Sequence, residues 1–188
     1  MSLREAVERA DDFSNPDIIK FDPEVFGTPT TADPLLEDTI TLLHGELQIT
    51  NPLVIDGAAL VDVDGLGTRV PGPGWQNLTI DANNNGRVFD IQLVSGVAEE
   101  VTVRELSLTG GNATQGGAIN VNLPGAGDRV VLERLNVHDN RASDRGGGIK
   151  GLVGSGGGDV EITDNVLEGN TATTSPTAFD PAKGGASR

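Results

Sequence analysis

One short motif recurs along this chain and decides how its fold is predicted. It reads LSLTGGN at residues 106–112, LNVHDN at 135–140 and NVLEGN at 165–170, with earlier copies LVIDG at 53–57 and LTIDANN at 78–84. The apolar residues before each turn are Ile55, Ile80, Leu108, Val137 and Leu167, so that successive copies are spaced by 25, 28, 29 and 30 positions. Repeats of this length without helical periodicity are typical of stacked β-coils, each of which buries its apolar row against the next coil.

An asparagine accompanies the motif at one turn. It follows the apolar residue by three or four positions, at Asn84, Asn112, Asn140 and Asn170. We expect these residues to adopt the left-handed backbone conformation that Asn tolerates. We also expect their side chains to hydrogen-bond from coil to coil, as stacked Asn ladders do.

Pairs of glycines mark a second turn. Gly116 and Gly117 precede an Ala-Ile pair, Gly146 and Gly147 precede Gly-Ile, and residues 184–186 resemble the start of a third copy. Glycine lets the chain bend with positive φ. The repeats predict an all-β parallel β-helix of about five or six coils with three short strands per coil. The competing interpretation is a sandwich or barrel whose turns share Asn and Gly by coincidence.

The first residues predict a short helix. Ser2 and Glu5 have the spacing of a capping box, and apolar residues at 3, 6, 7 and 10 fall on one face. After residue 17 the helical periodicity gives way to short β-rich runs. The runs are 18–21, 39–43, 46–50, 53–56, 78–81, 87–93, 100–108, 118–123, 129–137 and 160–167.

The composition excludes several classes of protein. Among 188 residues, 28 are Asp or Glu and 13 are Lys or Arg, a formal net charge of −15. This balance argues against a general nucleic-acid binder, because phosphate contacts need cationic side chains. The longest apolar runs are far shorter than a membrane span, so no span is expected. The chain has no Cys, which excludes disulfides, thiol nucleophiles and Cys-based zinc sites.

The opening of the chain carries a family resemblance. MSLREAV at residues 1–7 resembles the CSLREA motif of many bacterial surface β-helix proteins, with Met1 where the family has Cys. IIKFDP (18–23), TITL (39–42), GELQIT (45–50), LVIDG (53–57) and NGRVF (85–89) follow in that family's usual order. The glycine and asparagine repeats are similar to those of polymorphic outer-membrane proteins, although Val137 and Leu167 stand where Phe is usual there.

This resemblance implies a right-handed, pectin-lyase-like β-helix on an exported or cell-surface protein whose leader is not part of the sequence. We expect one domain over 1–188, with an N-terminal cap helix in 1–16, coils over 17–172 and a flexible or capping segment over 173–188. Solenoids carry caps because an uncovered end pairs with other chains. The last segment offers no convincing cap helix, so we expect a longer parent protein or an end that associates with another copy.

A calcium loop is one candidate site, and Ca²⁺ is the only cofactor considered. Asp81, Asn83 and Asn85, followed by Gly86, match the start of a D-x-N-x-N-G loop, in which alternate oxygens hold a hard cation. The twelfth position is Gln92 rather than Glu. A plain Asn-rich turn explains the same residues. Residues 62–65, with two aspartates before a glycine, are a weaker candidate of the same kind.

Grouped carboxylates are a second candidate, since polysaccharide lyases and glycosidases work with them. Such proximity is expected by chance among 28 acids. Sugar-processing clefts usually offer aromatic platforms, whereas this chain has no Tyr and one Trp. That residue, Trp75, is the best candidate for an exposed binding contact, or else it covers an apolar edge. The acidic groups are Asp62 with Asp64, Asp81 with Asp90, and Asp139 with Arg141, Asp144 and Arg145.

Histidines and sequons complete the inventory. His44 and His138 are expected to be solvated turn residues. A Ser-His-Asp triad stays open, because only the fold decides which side chains meet, although no G-x-S-x-G elbow surrounds any Ser. The glycosylation patterns at Asn77 and Asn112 are expected by chance and would be silent in a bacterium.

We therefore predict an adhesin-like structural module without catalytic activity, located outside the cell or on the bacterial cell surface. Its partner would be a cell-surface or polysaccharide ligand at an inserted loop or a flat face. One alternative is a pectin-lyase-like carbohydrate-active enzyme, a polysaccharide lyase or glycoside hydrolase. A further alternative is a self-assembling module that pairs through its open C-terminal coil.

Overall fold

The computed structural model of the protein describes residues 1–10, 16–22, 25–26, 38–58, 78–93 and 98–173. Within these ranges one helix, α1 (Leu3–Ala10), precedes a long series of strands, and all strand pairs are parallel. The predicted all-β class is confirmed. The strands are β1 (Asp17–Lys20), β2 (Asp38–Thr41), β3 (Leu47–Ile49), β4 (Leu53–Asp56), β5 (Leu78–Asp81), β6 (Phe89–Gln92), β7 (Glu100–Arg104), β8 (Ser107–Thr109), β9 (Asn112–Gln115), β10 (Ile119–Leu123), β11 (Arg129–Glu133), β12 (Asn136–His138), β13 (Arg141–Arg145), β14 (Ile149–Val153), β15 (Asp159–Thr163), β16 (Val166–Glu168) and β17 (Thr171–Ala172).

The described strands form four sheets. Sheet 1 has the order β1-β4-β7-β11-β15, sheet 2 β2-β5-β8-β12-β16, sheet 3 β9-β13-β17, and sheet 4 β3-β6-β10-β14. From β7 onward the chain visits sheets 1, 2, 3 and 4 in turn, and we call one such passage a repeat. The prediction of three strands per coil is therefore wrong for these repeats, which have four. Each strand pairs with its equivalents in the previous and the next repeat. In sheet 1, for example, Val101 pairs with Val130 and Val130 pairs with Val160.

The core consists of apolar rows that run across the sheets in register. In sheet 1, Ile55 pairs with Val103 and Val103 with Leu132, and all three side chains are fully buried. Sheets 2 and 4 contribute equivalent rows, since alternate residues of a strand face the same side. Burying each such side chain contributes roughly 1.5–3 kcal/mol. The stacking of repeats thus supplies the core that a single repeat lacks.

The structure corrects the phase of the first copy of the motif. Ile80, Leu108, Val137 and Leu167 share one row of sheet 2, but Ile55 lies in sheet 1. The true partner of Ile80 is Ile40. The intervals that include residues 59–77 are longer than the regular repeat, since β4 and β7 pair across a separation of 48 positions. Because of those extra residues, the step of 25 positions from Ile55 to Ile80 is a coincidence and does not reflect the structural repeat.

Three predicted strands are each two strands joined by a sharp corner. The runs 100–108, 129–137 and 160–167 bend from sheet 1 into sheet 2 at Glu105, Arg134 and Asp164, which have φ of 59°, 49° and 56°. None of these residues is a glycine, so composition alone did not mark the corners. Strands β9, β13, β14 and β17 were also absent from the prediction. Their polar or glycine-rich sequences hide them, because the sheet is specified by pairing with neighbouring repeats rather than by local propensity.

The asparagine turn differs from the expectation at three of four positions. Asn84 has the left-handed conformation, with φ of 56°. In the later repeats the left-handed residue comes two positions before Asn112 and one before Asn140 and Asn170, at Gly110, Asp139 and Gly169 respectively. Asn140 instead lies inside, 1% exposed, where its side chain bonds to neighbouring repeats. Asn112 is exposed at the start of β9, and the buried Gly111 occupies its expected place in the row.

The glycine turns use two different properties of glycine. Gly116 and Gly146 have φ of 61° and 62°, as a bend requires. Gly117 and Gly147 do not have positive φ and are required for close approach instead. A Cβ on Gly117 would lie 2.0 Å from the carbonyl oxygen of Gly147 in the next repeat. Any side chain at this position would separate the two repeats.

Helix α1 closes the end of the core near the first repeat. The Ser2 backbone N donates to Glu5 Oε2 (2.7 Å), and the Glu5 backbone N donates to Ser2 Oγ (3.2 Å), which completes a capping box. Leu3 and Val7 are buried against the core. Arg4 donates to the backbone carbonyls of residues 44–46 and so fixes the helix to the turn before β3.

The last described repeat leaves its apolar residues uncovered. Ile162 and Leu167 are 48% and 52% exposed, whereas Leu132 and Val137, their equivalents one repeat earlier, are fully buried. Residues 174–188, which include most of the predicted C-terminal segment, lie outside the described residues. The described part of the molecule therefore has one closed end and one apolar end.

Candidate functional site

The candidate calcium loop is an asparagine-rich turn between β5 and β6. Asp81 Oδ1 accepts a hydrogen bond from the backbone N of Asn83 (2.7 Å), and Asn85 Nδ2 donates to the carbonyl of Leu43 (3.2 Å). The Asp81 side chain therefore stabilises the turn itself, while Asn85 joins the turn to the segment that follows the neighbouring strand β2. Across the described ranges, no group of three or more His, Cys, Asp or Glu is placed to hold a metal ion. Calcium binding here stays a prediction that solution measurements must test.

Asp81 and Asp90 do not form a carboxylate pair. Asp81 ends β5 in sheet 2, while Asp90 belongs to β6 in sheet 4. The Asp90 carboxylate is 4% exposed and accepts hydrogen bonds from Arg87 (2.5 Å), Gln92 (2.6 Å) and Asn120 (2.8 Å). Three donors bind its oxygens, so this carboxylate helps to hold the sheet together.

The acidic group around Asp139 is also divided. Asp144 accepts from Gln115 of the previous repeat (2.6 Å) and lies 3.6 Å from the Arg145 guanidinium. Asp139 instead contacts His138. Arg141 is exposed at the start of β13. The structure therefore does not gather these residues into one catalytic pair.

Several charged side chains on the outer faces pair between consecutive repeats. Arg104 donates to Asp56 (2.8 Å), Arg134 pairs with Glu105, and Arg129 contacts both Glu100 (3.0 Å) and Glu161. Each bond joins side chains that are 29 to 48 positions apart. These ion pairs connect one repeat to the next along sheet 1 and its corner.

Asp56 shows how strongly such a pair favours the charged form. The carboxylate is 5% exposed. Burial opposes its ionisation, but hydrogen bonds from Arg104 and from the backbone N of Ala58 outweigh that effect and lower the pKa of Asp56 below its ordinary value of 3.8. Asp56 is therefore a charged structural residue at neutral pH.

One group of outward side chains on sheet 2 has the bond order of a catalytic triad. His138 Nε2 lies 3.1 Å from Ser107 Oγ, and His138 Nδ1 lies 2.9 Å from Asp139 Oδ2. Ser107 lies in β8, and His138 ends β12 one repeat later. Beside Ser107 in the register is Asn136, whose Oδ1 is buried and has no hydrogen-bond partner in the part of the chain that is described.

The remaining predicted residues carry less information. His44 is exposed, and its backbone carbonyl accepts a bond from Arg4. Asn112 of the second sequon is also exposed. Trp75, Asn77 and the aspartates at 62 and 64 lie outside the described residues.

Ser107 and Asn136 were missed by the sequence analysis, although the signal was present. Residues separated by one repeat of about 29 positions become neighbours across a sheet, and Ser107 precedes Asn136 by 29 and His138 by 31. Searching for reactive residues at the repeat spacing, rather than in local motifs, would have found this group. Local motif rules such as G-x-S-x-G cannot find it, because its members come from different repeats.

Comparisons with known proteins give no assignment. No family model, curated protein or solved structure matches this chain. Among the described residues, no helix has both the length and the apolar character needed to cross a membrane.

Proposed function

We propose that the chain is a right-handed parallel β-helix, closed at one end by α1. The support is the fixed order in which the strands return to the four sheets, with parallel register from repeat to repeat. Parallel crossovers are almost always right-handed, which favours this hand. The SLREA-like opening, here part of the capping helix, is consistent with the same fold.

This β-helix serves as a rigid structural module of an extracellular or cell-surface protein. The observation that carries the proposal is the pairing of outward charges between repeats. Asp56, Asp90 and Glu105 each bind an arginine or several donors, so their oxygens are already engaged within the fold. Scattered, satisfied carboxylates suit a scaffold, whereas lyases and glycosidases need carboxylates that reach a substrate.

The outer face of sheet 4 is the surface best suited to a polysaccharide ligand. One row places Gln48, Asp90, Asn120 and Lys150 side by side in consecutive strands, and Asn122 lies in the neighbouring row. Asp90 and Asn120 bond to each other, so Gln48, Lys150 and Asn122 are the polar groups of this face that a ligand would contact. Amide and ammonium groups donate to the hydroxyl and carboxylate oxygens that extended polysaccharides carry.

Binding to immobilised acidic and neutral polysaccharides tests this role. We expect retention of the purified chain on at least one of them, and weaker retention of the double variant Asn122→Ala/Lys150→Ala. Glu168→Ala, on the exposed strand β16 of sheet 2, is the matched control and should bind like the parent chain. Equal binding of both variants would contradict the assignment of this face.

Location and catalysis need separate readouts. Protease treatment of intact cells that make the native protein should remove it if it lies on the surface. Protection until lysis would contradict the proposed location.

The alternative of a polysaccharide lyase or glycoside hydrolase predicts new reducing ends or unsaturated products from a bound polysaccharide. Binding without such products supports the scaffold.

Self-association is a second candidate role, favoured by the apolar end of the last described repeat. Leu152, Ile162 and Leu167 are about half exposed there, and strands at an uncovered end can pair with another chain. Sedimentation would test it, with Leu167→Lys compared with Leu43→Lys. Leu43 is equally apolar and 67% exposed, but it lies after β2, far from that end. Association that only Leu167→Lys reduces would support this role.

A further inference from the structure

We propose that Ser107, His138 and Asp139 form an acyl-transfer site that cleaves small carboxylic esters. The three side chains lie on the outer face of sheet 2, at the point where β12 ends. The contacts run from Ser107 Oγ to His138 Nε2 (3.1 Å) and from His138 Nδ1 to Asp139 Oδ2 (2.9 Å). This inference goes beyond the scaffold role, which does not require it.

The order of the contacts fixes the chemistry of each group. A carboxylate can only accept a hydrogen bond, so Asp139 selects the tautomer with the proton on Nδ1. The Nε2 lone pair then faces the hydroxyl of Ser107 and can accept its proton. The reversed order, with Nδ1 on the serine, would not match the arrangement used by serine hydrolases.

The backbone at Asp139 determines where its carboxylate lies. Asp139 has φ of 53°, and the corresponding turn residues in the neighbouring repeats are Gly110 and Gly169, both with positive φ. Asp is one of the few residues other than glycine that adopt this conformation readily. The left-handed turn places the Asp139 carboxylate back against the ring of the preceding histidine.

Asn136 supplies the group that an acyl-transfer site needs next to its nucleophile. It pairs in register with Ser107 and lies on the same face as His138, with Val137 pointing inward between them. Its Oδ1 is buried and, among the described residues, bonds to nothing. A half-turn of the amide presents Nδ2–H in that place. An Asn side chain of this kind stabilises the oxyanion of a tetrahedral intermediate.

The reaction can be written with all atoms and protons balanced. Ser107 Oγ attacks the ester carbonyl carbon while His138 Nε2 takes the hydroxyl proton. The bond from that carbon to the leaving oxygen breaks, and His138 returns the proton to the leaving alcohol. Water then attacks the acyl-serine, with the same proton transfer through His138, and releases the acid and free Ser107.

The exposure of the three side chains determines which acyl groups fit the site and how much each residue contributes to the rate. Ser107 is only 4% exposed, so we assign small acyl groups such as acetyl. The His138 side chain is one-quarter exposed and leaves access from solvent. Asp139 is a positioning residue, and its side chain is 74% exposed. Water screens such a contact, so losing Asp139 should reduce the rate by less than roughly tenfold.

The experiment uses 4-nitrophenyl acetate as the probe with the full chain. We expect release of nitrophenolate together with one acetyl group on Ser107, located by peptide mass spectrometry. Ser107→Ala should abolish this adduct, and His138→Gln should slow acylation roughly 100-fold, the usual effect of losing a general base. Asp139→Asn should change the pH dependence of acylation more than its maximal rate.

Matched variants control for surface reactivity and folding. His44→Gln removes an exposed histidine, and Ser143→Ala removes an exposed serine of β13, so both should keep the parent rate. Circular dichroism and thermal unfolding establish that each variant is folded. An adduct at other residues only, or equal acylation rates in folded Ser107→Ala, His138→Gln and parent protein, would overturn the proposal.

Discussion

Replacing Asn140 with Ala removes the most connected side chain of the asparagine turn. Its Oδ1 accepts from the buried backbone N of Gly111 (2.8 Å). The two N–H groups of its Nδ2 are shared among three acceptors, the carbonyls of Leu108 (3.0 Å) and His138 (2.8 Å) and Asn170 Oδ1 (3.0 Å). The residue thus joins three consecutive repeats through one buried amide. The Ala variant loses all of these hydrogen bonds.

The size of the effect follows from what stays buried. The N–H of Gly111 loses its acceptor, and an unpaired buried donor costs about 1–3 kcal/mol. The two N–H groups of Nδ2 contribute about 1 kcal/mol each through their bonds, part of which water restores. We therefore expect Asn140→Ala to lower the free energy of unfolding by about 3 kcal/mol.

Equilibrium unfolding in urea at 25 °C measures this difference. Asn112→Ala is the matched control, because Asn112 is an exposed Asn two positions after the left-handed Gly110 and its change should cost less than about 0.5 kcal/mol. Equal, small losses for both variants would refute the view that the amide of Asn140 holds the repeats together. A loss confined to Asn140→Ala, with an unchanged m-value, would support it.

Three further predictions concern stability. Gly117→Ala should cost about 3 kcal/mol or more in urea unfolding, since its Cβ would meet the Gly147 carbonyl at 2.0 Å; Gly157→Ala, with φ of 81° and open space around it, should cost only about 1–2 kcal/mol. Asp56→Asn should be less stable than the parent by about 1.5–3 kcal/mol at neutral pH. Because the folded pKa of Asp56 is depressed, that difference should shrink as pH falls below 3.8, and a constant difference down to pH 2 would contradict it. Calorimetry should give the same melting temperature in Ca²⁺ and in EDTA, since Asp81 already bonds within its turn and Asn85 bonds to the carbonyl of Leu43; a rise of several degrees would identify a calcium site.

The sequence predicts much of this fold because the apolar residues of each row recur in the chain at the spacing of the repeat. Ile80, Leu108 and Val137 fall in one register, as their motif copies indicated. The copy at 53–57 was aligned with the wrong sheet, because residues 59–77 lengthen the interval between it and the next copy. A motif this short cannot reveal such an insertion. Strand β13, with the sequence RASDR, also escaped detection, since pairing with β9 and β17 specifies it and its own residues do not.

The outward face was harder to predict, for a physical reason. Inward positions need only be apolar and of suitable size, so any member of the row shows the pattern. The role of an outward polar residue depends on the residue that it contacts one repeat away. Asp90 bonds to Asn120 in this way, and Ser107 bonds to His138. The Asn-rich turn is a local pattern by comparison, because Asp81 bonds to the backbone of Asn83 only two positions away.

The closed end formed by α1 has a consequence for how the protein is made. The N-terminus is synthesised first, so α1 and the strands β1 to β4 can fold before the later repeats are complete. Each following strand then meets a finished edge only one repeat back along the chain, as β11 meets β7. Folding in this order would extend the sheets by one strand at a time, and the exposed edge of the newest repeat would be occupied by the next repeat.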